Sequence, residues 1–215
     1  MRAKALLFDM DGTLIDSGVA IQAAWNRWAG RYGFDGVEVY EYSHGRKAEM
    51  VMAHFLPGRA DPAATASEAD AFHADIAAMS DTITAIPGAR ELVGQLRPHE
   101  WAVVTSAPVA LARRSLSAAG LPLPEIIVGA DLVARSKPDP EGFLLAMHRL
   151  GAPARQSIAF EDAEAGLQAA RAAQAQVVGV GRQRQHAHLT DHWTTDYAGV
   201  EVRRGGLLEL RFPAA

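Results

Sequence analysis

The sequence predicts an α/β protein whose parallel sheet is interrupted near its start by a helical insertion. A short apolar run at residues 4–8 (KALLF) ends at an aspartate, as expected of a buried strand with a functional group at its end. Residues 16–84 show helical spacing and no convincing strand. After about residue 87, apolar runs alternate with helical segments, which is typical of parallel strands joined by right-handed crossovers.

Within the insertion, Trp25, Trp28 and Tyr32 recur at steps of three and four residues, as on one face of a helix. The alanine-rich segment 63–79 favours a further helix. We therefore expect an insertion made of several helices. The expected division of the chain is a catalytic core of residues 1–15 and 85–215 and an inserted helical domain of residues 16–84, with hinges near residues 14–18 and 82–88.

Beyond the insertion, each expected strand is a short apolar run followed by a helical segment. The predicted strands are 101–104, 126–128, 157–160 and 177–180, and the predicted helices are 109–119, 140–150 and 163–173. The stretch 199–210 (GVEVRRGGLLEL) predicts a pair of edge strands joined at residues 203–206.

Composition and charge exclude several classes of function. The net charge is −4 and no long basic run is present, which argues against a nucleic-acid partner. The chain has no cysteine, so disulfides and thiolate metal sites are excluded. The apolar run near the first residue is too short for a signal peptide or a membrane span. We therefore expect a cytoplasmic protein with no membrane partner.

Polar residues follow several of the predicted strands. Because ligands bind beyond the carboxyl ends of parallel strands, we expect these residues to converge on one site. They are Asp9, Asp11 and Gly12 after the first strand, Thr105 and Ser106 after the second, Lys137 between the third strand and its helix, and Glu161 and Asp162 after the fourth.

This combination suits chemistry on a phosphate group. A carboxylate and a phosphate dianion repel each other, so attack needs a cation, and Asp9 and Asp162 offer the hard oxygen ligands that Mg²⁺ prefers. Lys137 can bind a phosphate oxygen, and Thr105 can donate a hydrogen bond to it. Asp11 can protonate the leaving oxygen and then activate water.

Each piece also has a plain structural interpretation. An Asp-x-Asp pair occurs by chance in loops, and Thr105-Ser106 could cap a helix. Glu161-Asp162 could simply complement the dipole of the helix that follows. The joint occurrence of all the pieces, in order and at strand ends, favours the functional interpretation.

Four segments resemble, in order, the motifs of the haloacid dehalogenase-like hydrolases that carry a helical cap after the first motif. The segments are LLFDMDGTLIDS, VVTSAP, SKPDP and FEDAEAGLQAA, and the resemblance covers about residues 1–181. It implies a Rossmann-like core. The two aspartates of the first segment resemble the phosphate-transferring members of the family, because the dehalogenases lack the second aspartate.

The resemblance also implies a role for each motif residue. Asp9 would be the nucleophile that becomes an aspartyl-phosphate, and Asp11 would be the general acid and base, with its carbonyl touching the metal. Thr105 and Lys137 would bind the phosphoryl group. Asp162 would ligate Mg²⁺, and Glu161 would do so directly or through water.

A closer resemblance is to bacterial sugar and hexitol phosphatases and, less closely, to glycerol-phosphate phosphatases. The segments WNRWAGRYG, HGRKA and ITAIPGA carry it. It implies hydrolysis of a small phosphorylated sugar or polyol. His44 and Gly45 lie where the family's cap carries its specificity loop, so His44, Arg46 and Lys47 are candidate substrate contacts together with Gly12 and Ser106. A solvated helix start is the alternative for Arg46 and Lys47.

Two other functions were weighed against a phosphatase. A hexose-phosphate mutase resembling β-phosphoglucomutase shares the four motifs, but that group has a histidine where Ile21 stands and an arginine where Ala48 stands. An inactive phosphate-binding regulatory domain would be expected to lose a motif residue, and none is lost. We expect a monomer.

Smaller departures from the family pattern concern structure more than chemistry. Gln174 replaces a usual glycine before the last core strand, which puts that turn in question. His186, His188 and His192 lie in a polar segment without regularly spaced carboxylates, so we expect a loop and no metal site there.

Overall fold

The computed structural model describes residues 1–57 and 61–213, and it confirms an α/β fold. Its strands are β1 (Arg2–Ala3), β2 (Ala5–Phe8), β3 (Ile15–Asp16), β4 (Thr84–Ala85), β5 (Trp101–Val104), β6 (Ile126–Val128), β7 (Ser157–Glu161), β8 (Gln176–Val180), β9 (His192–Thr194), β10 (Glu201–Gly205) and β11 (Leu207–Arg211). Its helices are α1 (Gly18–Tyr32), α2 (Gly36–Ser43), α3 (Ala48–Phe55), α4 (Pro62–Ala78), α5 (Ala89–Gly94), α6 (Val109–Ala118), α7 (Glu141–Leu150) and α8 (Glu164–Ala172).

The main sheet has the strand order β6-β5-β2-β7-β8-β9, and all its strands are parallel. Strand β2 lies in the interior of this sheet and is buried on both faces, which is why its sequence is continuously apolar. Its side chains alternate between two cores. Phe8 packs on one face with Leu116 of α6, while Leu7 packs on the other face with Phe143 of α7 and Leu167 of α8.

Helices α1 to α4, here called the helical insertion, pack on one another. Trp25 lies 5.6 Å from Trp28 and 4.1 Å from Phe72 of α4, measured between ring centroids. The helical spacing of the tryptophans therefore records their packing in the core of the insertion. None of the described helices is long and apolar enough to cross a bilayer.

The two chain crossings between the sheet and the insertion form an antiparallel ribbon that the sequence did not indicate. Strand β3 pairs with β4, so that Ile15 lies opposite Ala85 and Asp16 lies opposite Thr84. Each strand has only two residues, which is too short for any periodicity to register.

The predicted edge strands near the end of the chain are present as the antiparallel pair β10 and β11. Strand β11 also pairs with β1, which makes a separate sheet of three strands. The prediction of a loop at His192 was wrong, because this residue begins β9, which pairs with β8. Only Trp193 in β9 is buried, so the segment lacked an apolar pattern.

The turn at Gln174 is made without glycine. Its φ is 61°, and it is the one positive-φ residue other than glycine in the described ranges. It lies between α8 and β8 and is exposed. A side chain in the left-handed region costs about 1 kcal/mol or more, so this turn carries a local strain.

Candidate active site

Three neighbouring strands of the sheet end at one place. Asp9 follows β2, Thr105 follows β5 and Glu161 is the last residue of β7. All three residues are buried. Because the carboxyl ends of these parallel strands lie side by side, residues far apart in the sequence come within reach of one another.

Lys137 joins two of these strand ends. Its ammonium group donates hydrogen bonds to Oδ1 of Asp9 at 2.5 Å, to Oε1 of Glu161 at 2.6 Å and to the Val104 carbonyl at 3.1 Å. Burial alone would lower the pKa of Lys137, but the adjacent carboxylates of Asp9 and Glu161 raise the pKa above its ordinary value. The group therefore stays protonated and fixes the orientation of Asp9.

Asp162 completes a group of acids that could hold a cation. Carboxylate oxygens of Asp9, Glu161 and Asp162 all lie within 4.8 Å of one another. Thr13 donates a hydrogen bond of 3.0 Å to Oδ1 of Asp162. Burial, followed by the charge of Glu161, raises the pKa of Asp162 to about 8, and burial also raises the pKa of Asp9.

The donor set fits a divalent cation. Burial also raises the pKa of Asp11. Among the described residues, two buried carboxyl groups (Asp9 and Glu161) and two half-buried ones (Asp11 and Asp162) therefore lie around a single ammonium group. Buried like charges are costly unless a cation compensates them. Mg²⁺ prefers carboxylate oxygens of this kind, so the residues match the cofactor that the sequence predicts.

Glu161 differs from the other acids because both of its oxygens already accept hydrogen bonds. Oε1 accepts from Lys137, and Oε2 accepts from the backbone N–H groups of Asp162 and Ala163, both at 3.0 Å. Gly166 leaves room for it, since a Cβ there would lie 1.6 Å from Oε1. Glu161 therefore anchors Lys137 and the start of the loop that carries Asp162.

Asp11 lies in a tight turn after β2. The turn depends on Gly12, whose φ is 79° and whose Cβ, if present, would lie 2.2 Å from Oδ2 of Asp162. Oδ1 of Asp11 accepts a hydrogen bond of 2.6 Å from Ser17. This bond lowers the pKa of Asp11 and partly offsets the effect of burial.

Thr13 and Ser17 belong to the site although their roles were not predicted from the sequence. Each hydroxyl orients one of the predicted carboxylates, Asp162 and Asp11 respectively. An Asp-Ser pair before a helix resembles a helix cap. Here, however, Ser17 makes no capping bond with its side chain. The role of Ser17 could have been inferred from its position in the chain, six residues after Asp11.

A cavity of about 190 Å³ lies above these groups, between the sheet and the helical insertion. Most of the predicted site residues line it, namely Asp9, Asp11, Gly12, His44, Arg46, Thr105, Ser106 and Asp162. Lys137 and Glu161 lie beneath it, where the Lys137 ammonium group donates to both Asp9 and Glu161. Ser106 also donates a hydrogen bond of 2.9 Å to the Gly45 carbonyl, which joins the sheet to the loop between α2 and α3.

Of the three candidate residues in that loop, two reach the cavity. Arg46 stacks over the ring of Tyr42, 4.4 Å from its centroid, and donates to the Tyr42 carbonyl at 2.6 Å. Lys47 is not among the residues that line the cavity. Its ammonium group donates instead to the carbonyls of Ala130 and Val133, at 2.5 and 3.3 Å, so it joins the insertion to the sheet.

Comparisons with known proteins agree with this geometry. A family model described as haloacid dehalogenase-like hydrolase matches residues 3–174, and the chain therefore belongs to that family. Hexitol phosphatase A of Escherichia coli is 39% identical over 182 residues, which cover 84% of each protein. Validoxylamine A 7'-phosphate phosphatase of Streptomyces hygroscopicus is 36% identical over 217 residues, which cover 98% of this chain and 97% of the relative.

A solved structure extends the likeness to three dimensions. CbbY of Rhodobacter sphaeroides, solved in complex with phosphate, superimposes with a TM-score of 0.79 at 25% identity. The match covers 92% of this chain and 96% of CbbY. With its family and its relatives, the chain is an enzyme of the phosphoric monoester hydrolase class.

Proposed function

We propose that the chain is a magnesium-dependent phosphatase that hydrolyses small sugar or sugar-alcohol phosphates through a phosphorylated Asp9. The observation that supports it best is the convergence of Asp9, Lys137 and Asp162 at the base of one cavity. The relatives point to the same chemistry, because they include a hexitol phosphatase, a 2-deoxyglucose-6-phosphate phosphatase and a glycerol-1-phosphate phosphohydrolase.

The reaction proceeds in two displacements. Lys137 holds one oxygen of Asp9, and the other oxygen attacks phosphorus while Asp11 gives its proton to the leaving sugar oxygen. The bond between phosphorus and that oxygen breaks as the new bond to Asp9 forms. Water then attacks the aspartyl-phosphate and gives its proton to Asp11, which releases phosphate and regenerates both acids.

Asp9, Asp162 and the backbone carbonyl of Asp11 would hold Mg²⁺, and Glu161 would contribute through water. When bound, the ion would offset the repulsion between the Asp9 carboxylate and the phosphate dianion. Thr105 and Lys137 bind the phosphoryl oxygens, and Ser17 holds Asp11 toward the leaving group.

The helical insertion serves as a cap. We infer a cap domain of residues 16–84 that closes over a core of residues 1–15 and 85–215 and excludes water from the reaction. Arg46 and His44 line the cavity and contact the sugar end of the substrate. We expect the enzyme to work as a monomer.

A phosphatase fits the cavity better than a hexose-phosphate mutase does. Ile21 and Ala48, the two positions at which the mutase group carries a histidine and an arginine, both line the cavity. An apolar side chain at Ile21 cannot relay a proton to a substrate hydroxyl. Hydrolysis should therefore need no bisphosphate activator, and conversion between hexose phosphates in the presence of one would support the mutase.

The test is phosphate release from hexitol, hexose, pentose and glycerol phosphates and from an aryl phosphate, with Mg²⁺ present and then chelated. Asp9→Asn should abolish turnover with the fold intact, and Asp11→Asn should cost roughly a hundred- to ten-thousandfold. Glu164→Gln removes a nearby acid that only bonds Gln168 and serves as the control. Substantial turnover by Asp9→Asn, or undiminished turnover after chelation, would refute the proposal.

A further inference from the structure

The wall of the cavity that faces away from the carboxylates is mainly apolar. Ile21, Trp25, Phe72, Ile76 and Leu111 form it, from α1, α4 and α6. Two polar residues interrupt this wall. They are His73, which lies between Phe72 and Ile76 on α4, and Ser115, which lies one helical turn beyond Leu111 on α6.

Ser115 is buried, with 2% of its surface exposed, and its hydroxyl has no hydrogen bond to any residue in the described ranges. A serine inside a helix commonly bonds back to a carbonyl in the preceding turn. Ser115 does not, although it lines the cavity. The hydroxyl therefore faces the cavity without a protein partner among the described residues, which leaves it free to bond a ligand atom there.

His73 is half-buried and contacts the ring of Phe72 edge-on, at 5.6 Å between centroids. Within residues 1–57 and 61–213, its imidazole has neither a hydrogen bond nor an ion pair. Burial lowers the pKa of His73, against the opposing effect of Glu49 and Asp70. A neutral imidazole offers one donor and one acceptor, which suits a hydroxyl group.

Ser115 lies some way along α6 from the reacting groups. Helix α6 begins just after Thr105 and Ser106, and Ser115 lies about 9 Å further along its axis at ~1.5 Å per residue. Both residues line the same cavity as Asp9. A substrate whose phosphate lies on Asp9 therefore has to be several carbons long to reach the far wall.

We propose that Ser115 and His73 bind a hydroxyl group at the end of the substrate remote from the phosphate, and so select six-carbon sugar-alcohol phosphates over glycerol phosphate. This inference rests on the phosphatase function proposed above. A short substrate leaves water, and no substrate hydroxyl, beside the two polar groups. A site built to bond a substrate hydroxyl discriminates strongly against an analogue that lacks it. The apolar wall around the pair packs against the carbon chain.

Ser115→Ala and His73→Phe test the proposal. Each should reduce kcat/KM for a hexitol 6-phosphate about tenfold more than for glycerol 1-phosphate or an aryl phosphate. His73→Gln, which keeps a donor and an acceptor, should recover part of the loss. Ser117→Ala, on the exposed side of the same helix, should behave as the wild type does. In the double variant, the loss of kcat/KM should be smaller than the product of the two single losses, because both residues bind the same substrate hydroxyl.

The outcomes separate this inference from the proposed function. If the wild type releases no phosphate from any substrate, the proposed function fails. If the wild type hydrolyses hexitol phosphate but each variant loses the same factor on all three substrates, only the role of the pair is overturned. A wild type that prefers glycerol phosphate to hexitol phosphate would also overturn the selection of six-carbon substrates.

Discussion

Ser17 donates its hydroxyl hydrogen to Asp11 across 2.6 Å, although it stands directly before the first residue of α1. The helix start thus gives up a side-chain cap, and the hydroxyl orients the carboxylate that we assign to proton transfer. Ser17→Ala should lower kcat roughly tenfold, the cost of one hydrogen bond to a charged group, and leave KM nearly unchanged.

Thermal unfolding of the same Ser17→Ala variant provides the control. Because the bond to Asp11 is lost but no capping bond is, its melting temperature should fall by no more than a few degrees. A variant that melts much earlier and keeps its kcat would show that Ser17 serves the helix and not Asp11.

Lys47 lies in the candidate specificity loop but donates to the carbonyls of Ala130 and Val133. We predict that Lys47→Met weakens closure of the insertion and reduces kcat/KM by a similar factor, about three- to tenfold, for sugar and aryl phosphates alike. Arg46→Met is the matched variant, and its loss should be greater for sugar phosphates, since Arg46 lines the cavity. If Lys47→Met reduced kcat/KM only for sugar phosphates, Lys47 would be a substrate contact after all.

The left-handed backbone at Gln174 offers a stabilising substitution. Gln174→Gly should raise the free energy of unfolding by about 1 kcal/mol, because glycine adopts a φ of 61° without steric cost. Urea denaturation would measure it. Gln168→Gly, in the interior of α8, is the control and should destabilise the protein. No gain from Gln174→Gly would mean that the side chain makes a compensating interaction.

Glu100 joins the start of β5 to the hairpin at the end of the chain. It accepts hydrogen bonds from Arg204 at 2.9 Å and from the backbone N–H of Arg97 at 2.7 Å. Burial alone would raise the pKa of Glu100, but these bonds and the charge of Arg204 lower the pKa below its ordinary value of 4.5.

A carboxylate with a lowered pKa stabilises the fold above its ordinary pKa, and the effect disappears as the pH falls through the lowered value. Glu100→Gln should therefore cost about 1 kcal/mol at neutral pH, and the difference from the wild type should shrink below about pH 4.5. Denaturation across this range measures it. A difference independent of pH would assign the effect to packing.

Much of the site could be predicted because each strand end carries its functional residue within one or two positions. Apolar runs marked the strands that hold Asp9, Thr105 and Glu161, and the parallel topology required their ends to meet. The geometry of the individual side chains was not accessible in this way. Whether Lys47 points into the cavity or toward Ala130 depends on how the insertion packs on the sheet, and no local spacing encodes this.

The ribbon and strand β9 escaped prediction for a related reason. Pairing of Ile15 with Ala85 is a contact between residues 70 positions apart, made by strands of two residues each. The three-residue strand that begins at His192 is held by its neighbour β8 rather than by its own pattern. Short elements of this kind are specified by their partners.

The ribbon of β3 and β4 brings the two ends of the inserted segment side by side, one strand spacing apart. The segment between them can therefore be exchanged as a module. A cap taken from a relative with another substrate could be joined at Asp16 and Thr84 without displacing the strand that carries Asp9. A new substrate range can therefore evolve by replacing the helical insertion between these two adjacent strands, while the residues that bind the phosphate stay unchanged.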